Sequence, residues 1–403
     1  MAVTGLRMSG AMPRAIVCDQ LLDGTGRDPV RDAVLLIEGD TITAAGPRAD
    51  IAIPDRAEVL DWSGSTAMPG LIDCHEHLGL DLGDEEGQAE QPIEYTVARC
   101  VRTARKIIGS GITTIRDCGE RGIVGQVMKR AVDDGVVPGP RVLAAGRNIC
   151  RTGGHGWKMG READGPDALR QAVRLNVREG ADVIKIMASG GISTFGSTVM
   201  TPEFTDDEFH AVIDEGHRRG RKVAAHGHGG PGVAAAVRAG VDSIEHGLFL
   251  TMDDVRLMVE HGTFLVVTAK SFYVIRESPA VPQFQKDKVG NAIDTHREML
   301  GRTVGSGLKV AVGTDECHGQ LWFEMQLLRE VGYDPLTVVS IATSSGAELL
   351  GLADRLGTLE AGKTADVIRV PADPLADFAA LRGVSAVLKA GVAQPLDGRD
   401  LEW

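Results

Sequence analysis

The pattern of apolar and polar segments predicts a repeated strand–loop–helix unit over residues 66–355. Short apolar segments indicate strands covered on both faces, and longer amphipathic segments indicate the helices that cover them. The strands are expected at 67–74, 112–117, 141–146, 182–187, 222–227, 242–246, 263–268 and 308–313. The helices are expected at 92–108, 121–134, 166–179, 205–219, 231–239, 251–260 and 286–305, with further helix over 320–350.

Eight strands that alternate with helices predict an α/β fold, a (β/α)₈ TIM barrel. A doubly wound open sheet is the structural alternative, but no glycine-rich phosphate-binding motif follows the first strand. Residues 1–65 and 356–403 instead contain short strands and turns without a helical period. We therefore expect a barrel at 66–355 and a small discontinuous β-sandwich domain built from both termini.

The composition of the chain indicates which kinds of partner are excluded and which cellular compartment is expected. The net charge of −13 argues against nucleic acid and anionic membrane surfaces as partners. No segment approaches the 18 apolar residues of a membrane span, and residues 1–13 contain no apolar run long enough for a signal peptide. The six cysteines are scattered and form no Cys-x-x-Cys pair. This favours reduced thiols and a cytoplasmic protein.

Polar residues gather at the ends of the predicted strands. His75 and His77 end the first strand, Lys185 lies in the fourth, His226 ends the fifth, His246 the sixth and Asp315 the eighth. The carboxyl ends of barrel strands meet at one face, so these six side chains are expected to converge. The first two point the same way in an extended chain. Imidazoles and carboxylates bind divalent metals, so the convergence predicts a metal site.

Several segments carry a resemblance to a known family. They are residues 69–77, 183–191, 225–229, 244–247, 313–315 and 356–366. Together they resemble the amidohydrolase superfamily in its binuclear metal-dependent branch. Within that branch the chain is most similar to the Xaa-Pro and Xaa-Arg dipeptidase-like and imidazolonepropionase-like group. The resemblance covers nearly the whole chain, and it is more specific for fold and metal chemistry than for substrate.

The resemblance implies a pair of divalent metal ions, with Zn²⁺ expected and Co or Mn as alternatives. It assigns one ion to His75, His77 and Asp315 and the other to His226 and His246, with Lys185 bridging them as a carboxylated lysine. Because a protonated ammonium beside two cations is disfavoured, carboxylation of the lysine is physically sensible. A metal-bridging hydroxide would then attack the substrate carbonyl, with Asp315 as general base and later general acid.

Three further residues are expected to contact substrate, in a small-molecule site. His155, in the loop after the third strand, resembles a family histidine that contacts the substrate carbonyl. His228 lies two residues after His226, and Tyr273 follows the seventh strand.

Loops 78–92 and 190–201 follow the first and fourth strands and are candidates to rim or close the site. The acidic loop 78–92 favours cationic groups if it rims the site, and otherwise it is a solvated loop. Residues 316–318 (Glu-Cys-His) depart from the small residues usual in the family, so substrate preference does not transfer.

The predicted function is metal-dependent hydrolysis of an amide bond, in a dipeptide or an N-acyl amino acid. A deaminase or cyclic amide or amidine hydrolase is an alternative, although such mononuclear enzymes commonly lack the bridging lysine. Here Lys185 is present, and residues 227–232 contain no Glu. Carbamate, urea and lactone hydrolysis stay open, and a metal-free scaffold is the non-enzymatic alternative. The resemblance also leads us to expect a homo-oligomer.

Overall fold

The computed structural model describes residues 12–397, so the expectation for residues 1–13 falls almost wholly outside the described part. The strands are β1 Arg14–Leu21, β2 Val30–Glu38, β3 Thr41–Pro47, β4 Glu58–Pro69, β5 Leu71–Glu76, β6 Ile112–Asp117, β7 Arg141–Ala144, β8 Ile149–Cys150, β9 Arg161–Glu162, β10 Val183–Met187, β11 Lys222–Gly227, β12 Ser243–His246, β13 Phe264–Val267, β14 Lys309–Val312, β15 Val367–Val370, β16 Ala386–Lys389 and β17 Val392–Ala393.

The helices are α1 Glu85–Ala89, α2 Ile93–Gly109, α3 Val124–Asp133, α4 Pro166–Arg178, α5 Asp206–Arg218, α6 Gly230–Arg238, α7 Met252–His261, α8 Ala269–Glu277, α9 Gln283–Val289, α10 Ala292–Thr303, α11 Leu321–Glu330, α12 Pro335–Ser340 and α13 Gly346–Leu349. A π-helical turn (Ile341–Ser345) joins α12 to α13, and a 3₁₀ helix (Phe378–Gly383) precedes β16. Within residues 12–397, no helix is long and apolar enough to cross a bilayer.

Strands from both ends of the chain share one mixed sheet, in the order β17-β16-β15-β4-β1-β2-β3. Their buried side chains form a separate core that includes Ile16, Leu35, Trp62, Val367 and Leu388. The predicted sandwich has two sheets, whereas these strands all belong to one. The predicted division after residue 65 falls inside β4, which pairs with both β1 and β15.

The eight strands predicted for the barrel correspond to β5, β6, β7 and β10–β14. They lie in two parallel sheets, ordered β5-β6-β7 and β14-β13-β12-β11-β10-β8-β9. Every residue of β5, β6 and β10 is buried, as expected for parallel strands covered on both faces. Backbone hydrogen bonds also join the two sheets at both sides. The amide of Asp182 donates to the carbonyl of Ala144 (2.8 Å), and the amide of Asp315 donates to the backbone carbonyl of His75 (2.9 Å).

The apolar segment predicted as a single strand at 67–74 is divided between two sheets. Pro69 ends β4 in the mixed sheet, and Leu71 begins β5 in the parallel sheet. Gly70 lies between them, where an added Cβ atom would come within 2.2 Å of Thr113 Oγ1. The chain therefore crosses between sheets at a point where only glycine fits. The continuous apolar pattern conceals this crossing, because both strands are buried there.

Helical segments differ from the prediction mainly after β13. The predicted helix at 286–305 is two helices, α9 and α10, separated at Gly290. Residues 269–277, which were not predicted to be helical, form α8 directly after β13. The predicted loop 78–92 contains the short helix α1, capped by the Asp84 side chain, which accepts from the Gly87 amide.

Candidate metal centre

The six predicted ligands lie at the carboxyl ends of the parallel strands and share one cavity. His75 lies near the end of β5, and His77 follows that strand. Lys185 lies in β10, His226 in β11 and His246 in β12. Asp315 follows β14. The cavity encloses about 690 Å³ of empty space, including its open mouth. His155 and His228 line the same cavity. The fold therefore brings together all six residues proposed to bind metal.

The imidazole rings are close enough to share ions. The rings of His75 and His246 have centroids 4.5 Å apart, and those of His226 and His246 are 4.6 Å apart. Asp315 Oδ1 lies 3.4 Å from His75 Nε2 and 3.9 Å from His77 Nε2, while Asp315 Oδ2 lies 3.6 Å from His246 Nδ1. A carboxylate thus sits between three imidazoles, as it would in a site of mixed His and Asp ligands.

Two of the histidines donate from Nδ1 to groups that can only accept a hydrogen bond. His75 Nδ1 donates to Glu245 Oε2 (2.8 Å), and His77 Nδ1 donates to the carbonyl of Gly119 (2.8 Å). Since a carboxylate and a carbonyl can only accept, each Nδ1 carries a proton, and Nε2 is the nitrogen turned towards Asp315. This is the arrangement by which protein metal sites fix the tautomer of a ligating histidine.

Glu245 is itself held by a buried network that the sequence did not predict. Arg116 Nη2 donates to both oxygens of Glu245 (2.7 Å each), and the Ser243 hydroxyl donates to Oε1 (2.5 Å). Burial would raise the pKa of Glu245, but the charge of Arg116 and the His75 hydrogen bond lower it to about 2. The carboxylate therefore stays ionised beneath the histidine cluster. Its sequence signal was an acidic residue inside an apolar strand, directly before His246.

Several buried nitrogen atoms in the cavity lack a hydrogen-bond partner among the described residues: His75 Nε2, Lys185 Nζ and His226 Nε2. Burial and the surrounding basic groups hold the pKa of His226 and of His246 well below the ordinary range. Both imidazoles are thus neutral and have free lone pairs. Unpaired buried polar atoms are costly, and divalent cations would satisfy them. The donor set therefore fits a divalent metal.

His155 and His228 lie beside the cluster, as predicted for substrate contacts. The His155 ring centroid is 4.2 Å from that of His226, and its Nδ1 is hydrogen-bonded to Thr194 Oγ1 (2.9 Å). Its Nε2 is left for another partner. Burial and nearby positive groups lower the pKa of His155 and of His228 to about 3, so both are neutral.

Tyr273 is not brought to the cavity. It lies on α8, where Ser271, Phe272 and Ile275 line the cavity, and its ring packs against Phe323 with centroids 5.3 Å apart. The reason is that β13 leads directly into a helix, so helical periodicity decides which side chains face the site. Position after a strand was not sufficient to predict this.

The turn after β14 directs two acidic side chains, Asp315 and Glu316, into the cavity. Both have positive φ, 45° and 70°. Glu76 holds this turn, accepting from the Glu316 amide (3.2 Å) and from the Thr314 hydroxyl (2.7 Å). His318 does not line the cavity. It is buried with Nδ1 3.0 Å from Glu76 Oε1, and the acidic neighbours raise its pKa to about 9 against the effect of burial.

The acidic loop 78–92 contributes one carboxyl group to the cavity, that of Glu85 on α1. Burial, together with repulsion from Asp315 and the acids beside it in sequence, raises the pKa of Glu85 to about 8. The pKa of Glu316 is also raised well above its ordinary range, first by burial and then by repulsion from Glu85. The sequence placed both residues in candidate segments but did not assign either side chain to the cavity.

The loop 190–201 is fixed against His155 by a lysine on α9. Lys288 Nζ donates to the carbonyls of Gly191 (2.9 Å), Ile192 (3.1 Å) and Thr194 (2.6 Å). An added Cβ atom at Gly191 would lie 2.2 Å from the His155 ring, so the loop backbone packs directly on this imidazole. Lys288 thus holds the two residues, 191 and 194, that fix the His155 ring.

These features define a class of protein: a hydrolase with a histidine-rich metal site at the carboxyl ends of parallel strands. The sequence pattern described as the Amidohydrolase family matches residues 66–393, and the chain belongs to that family. It is therefore an enzyme, a metal-dependent hydrolase of an amide bond.

Known relatives agree with this class. An ochratoxinase from Aspergillus niger is 31% identical over an alignment of 416 positions, gaps included, which covers 92% of this chain and 84% of the relative. An imidazolonepropionase from Pseudomonas aeruginosa is 25% identical over 378 residues, covering 84% and 87%. The crystal structure of a Xaa-Pro dipeptidase with methionine bound in its active site has a TM-score of 0.88 and 31% identity, covering 94% of this chain and 99% of that one.

The Glu245 network predicts that metal affinity depends on a residue that would not touch the metal. Glu245→Gln should weaken divalent metal binding by about 10- to 100-fold, because His75 loses its carboxylate partner. Competition with a chromogenic chelator measures this affinity.

Two variants separate this effect from simple damage to the fold. Glu324→Gln changes another buried glutamate, which accepts from the amides of Ala269 and Lys270, and should leave metal affinity unchanged. Glu245→Gln combined with Arg116→Met removes the stranded guanidinium and should still bind metal weakly. Unchanged affinity in both Glu245 variants would contradict the positioning role.

The hydrogen bonds from Lys288 to loop 190–201 predict that this residue, which lies outside the cavity lining, affects catalysis. Lys288→Met should lower kcat by about 10-fold with a smaller change in KM, because the loop that orients His155 loosens. Lys288→Arg, which keeps the donors, should recover most of the rate. Lys286→Met, on the same helix, serves as the matched control. Equal kcat in Lys288→Met and Lys286→Met would show that Lys288 does not position His155.

Proposed function

We propose that this enzyme hydrolyses a dipeptide or an N-acyl amino acid at a pair of divalent metal ions. The observation that carries the proposal is the position of Lys185. This residue is 2% exposed, its Nζ has no hydrogen-bond partner among the described residues, and six histidines and Asp315 line the same cavity. A carboxylated lysine at this position gives two oxygen ligands where a bare ammonium gives none.

The scaffold we propose is a closed (β/α)₈ barrel that begins at β5, with the small β-domain formed by the strands before and after it. The backbone hydrogen bonds between the two parallel sheets, at Asp182–Ala144 and Asp315–His75, support closure. Closure would place all eight strand ends around one cavity, as in other barrel enzymes.

We assign His75, His77 and Asp315 to one ion, His226 and His246 to the other, and carboxylated Lys185 to both. Zinc is the metal that this histidine-rich donor set favours. When bound, the ions supply an ionised water near neutral pH and polarise the scissile carbonyl.

Side chains of the protein then transfer the proton and bind the substrate. Burial opposes ionisation of Asp315, but the adjacent imidazoles hold its pKa below the ordinary range, so it is a carboxylate ready to accept a proton. It accepts a proton from the attacking water and returns it to the leaving amine. With Nδ1 accepting from the Thr194 hydroxyl, neutral His155 donates from Nε2 to the substrate carbonyl oxygen. His228, with both ring nitrogens unpartnered, is the second polar contact.

The substrate class follows from the relatives together with the cavity. Solved structures similar to this chain include a dipeptidase that binds methionine in its active site, so an amino acid fits a site of this kind. The cavity walls here combine polar groups with Met159, Met187, Ile192 and Phe272, which suit an amino-acid side chain. From the family resemblance and the six buried free thiols, we also expect a cytoplasmic homo-oligomer.

The test is a panel of dipeptides and N-acyl amino acids incubated with the zinc-loaded enzyme, with release of free amino acid as the readout. Lys185→Ala should lose at least about 100-fold in kcat/KM, because the bridging ligand is gone. Added short carboxylic acids such as propionate should restore part of the rate by supplying a carboxylate in the vacated space.

Lys222→Ala is the matched control. This exposed lysine begins β11, at the end of the strand away from His226, and it pairs with Asp242. No hydrolysis anywhere in the panel would overturn the substrate assignment and favour lactones, ureas, carbamates or cyclic amides. Full activity in Lys185→Ala would overturn the bridged metal pair.

A further inference from the structure

The turn that carries Asp315 has a backbone conformation that residues other than glycine rarely adopt. Asp315 and Glu316 have φ angles of 45° and 70°, in the left-handed region. Such a conformation costs free energy, and it persists only where the surrounding structure fixes it. The place of the Asp315 carboxylate among the imidazoles therefore depends on the contacts that hold residues 314–316.

One buried carboxylate, that of Glu76, holds both neighbours of Asp315. The Thr314 hydroxyl lies 2.7 Å from Glu76 Oε2, and the amide of Glu316 donates to Oε1 (3.2 Å). The amide of His77, which we assign to the same ion as Asp315, also donates to Oε1 (2.8 Å). The location of this single carboxylate thus bears on the positions of two proposed ligands of one ion.

The partner of this carboxylate is an equally buried histidine, His318. His318 Nε2 donates to the carbonyl of Leu80 (2.8 Å), and Nδ1 lies 3.0 Å from Glu76 Oε1. Because a carbonyl and a carboxylate can only accept, both ring nitrogens carry protons and the ring is an imidazolium. In agreement, burial would lower the pKa of His318, but the charge of Glu76 and a contact with Asp81 raise it to about 9.

His318 also joins the turn to the opposite wall of the cavity. Leu80, from loop 78–92, lines the cavity, whereas His318 does not. The next residue, Asp81, is tied to α2, because Arg102 Nη2 donates to both of its oxygens (2.7 Å each). The histidine therefore links the turn after β14 to a loop that is itself anchored. Without this cation, the carboxylate of Glu76 would be a buried charge lacking compensation, and the turn would lose its fixed acceptor.

We propose that His318 is a positioning residue, a buried cation that fixes Glu76 and thereby sets where the Asp315 carboxylate lies. It belongs to the segment 316–318 (Glu-Cys-His), which departs from the small residues usual in the family that the chain resembles. His318 lies outside the cavity lining, so it acts through Glu76 and not on the substrate. The inference rests on the proposed function for the role of Asp315, but the effect of His318 on the metal centre can be measured without substrate.

The kinetic test is the variant His318→Gln, which removes the charge. It should lower kcat by about 10- to 100-fold, with a change in KM below about 3-fold and with unchanged metal content. His318→Lys restores a cation beside Glu76 and should recover part of the rate. His217→Gln is the matched control, since this histidine also pairs with a carboxylate, that of Asp242 (2.8 Å), but outside the cavity lining. Wild-type kcat in His318→Gln, or a loss that only follows loss of metal, would overturn the proposal.

A double-variant cycle tests whether His318 acts through Glu76. Glu76→Gln should itself lower kcat, and adding His318→Gln should lower it by less than about a further 3-fold, because both changes break the same contact. The double variant lacks both buried charges, so it keeps the test available if His318→Gln alone does not fold. Wild-type kcat in the double variant, or two independent losses that multiply, would contradict the positioning role.

The visible absorption of the cobalt-loaded protein tests the inference without any substrate. Ligand-field bands of Co²⁺ respond to the arrangement of ligands such as Asp315 and His77. His318→Gln should change the position or intensity of these bands at unchanged metal content, whereas His217→Gln should reproduce the wild-type spectrum. A wild-type spectrum in His318→Gln would overturn the inference. A changed spectrum together with no hydrolysis of any substrate in the panel would overturn only the proposed reaction.

Discussion

The contact between Arg116, Glu245 and His75 is the interaction on which the site depends. It joins three parallel strands, β6, β12 and β5, beneath the histidine cluster, and all three side chains are almost completely buried. Removing one member of such a buried pair typically costs about 3–5 kcal/mol, because the remaining charge is left without compensation. The same contact decides which nitrogen of His75 faces the cavity. Stability of the strand core and readiness to bind metal therefore have one physical origin.

The remaining site residues extend that arrangement outward. The neutral imidazoles of His226 and His246 and the anionic Asp315 give a mixed donor set. Lys288 on α9 holds the loop that packs on His155, and α1 brings Glu85 to the same cavity. Distant segments thus each contribute to one cavity: the strand ends, the loop held by Lys288, and the acidic loop.

Sequence reasoning succeeded where a periodic pattern or a motif carries the information. The eight predicted parallel strands are present because burial on both faces leaves continuous apolar segments. The convergence of His226 and His246 on one cavity follows from their place at strand ends. It did not reveal the strand break at Gly70, since both neighbouring strands are apolar. Glu245 was missed because its role depends on partners, His75 and Arg116, that are far away in sequence. Tyr273 was placed by strand position alone, whereas the helix that contains it turns it away.

The number of divalent metal ions per folded chain tests the central claim most directly. Inductively coupled plasma mass spectrometry on the zinc-loaded protein, after removal of free metal, gives this number without any assumption about substrate. The account predicts two ions per chain in the wild type and a loss of tightly bound metal in Lys185→Ala. A wild-type chain that holds one ion or none, or a Lys185→Ala chain that still holds two tightly, would contradict it.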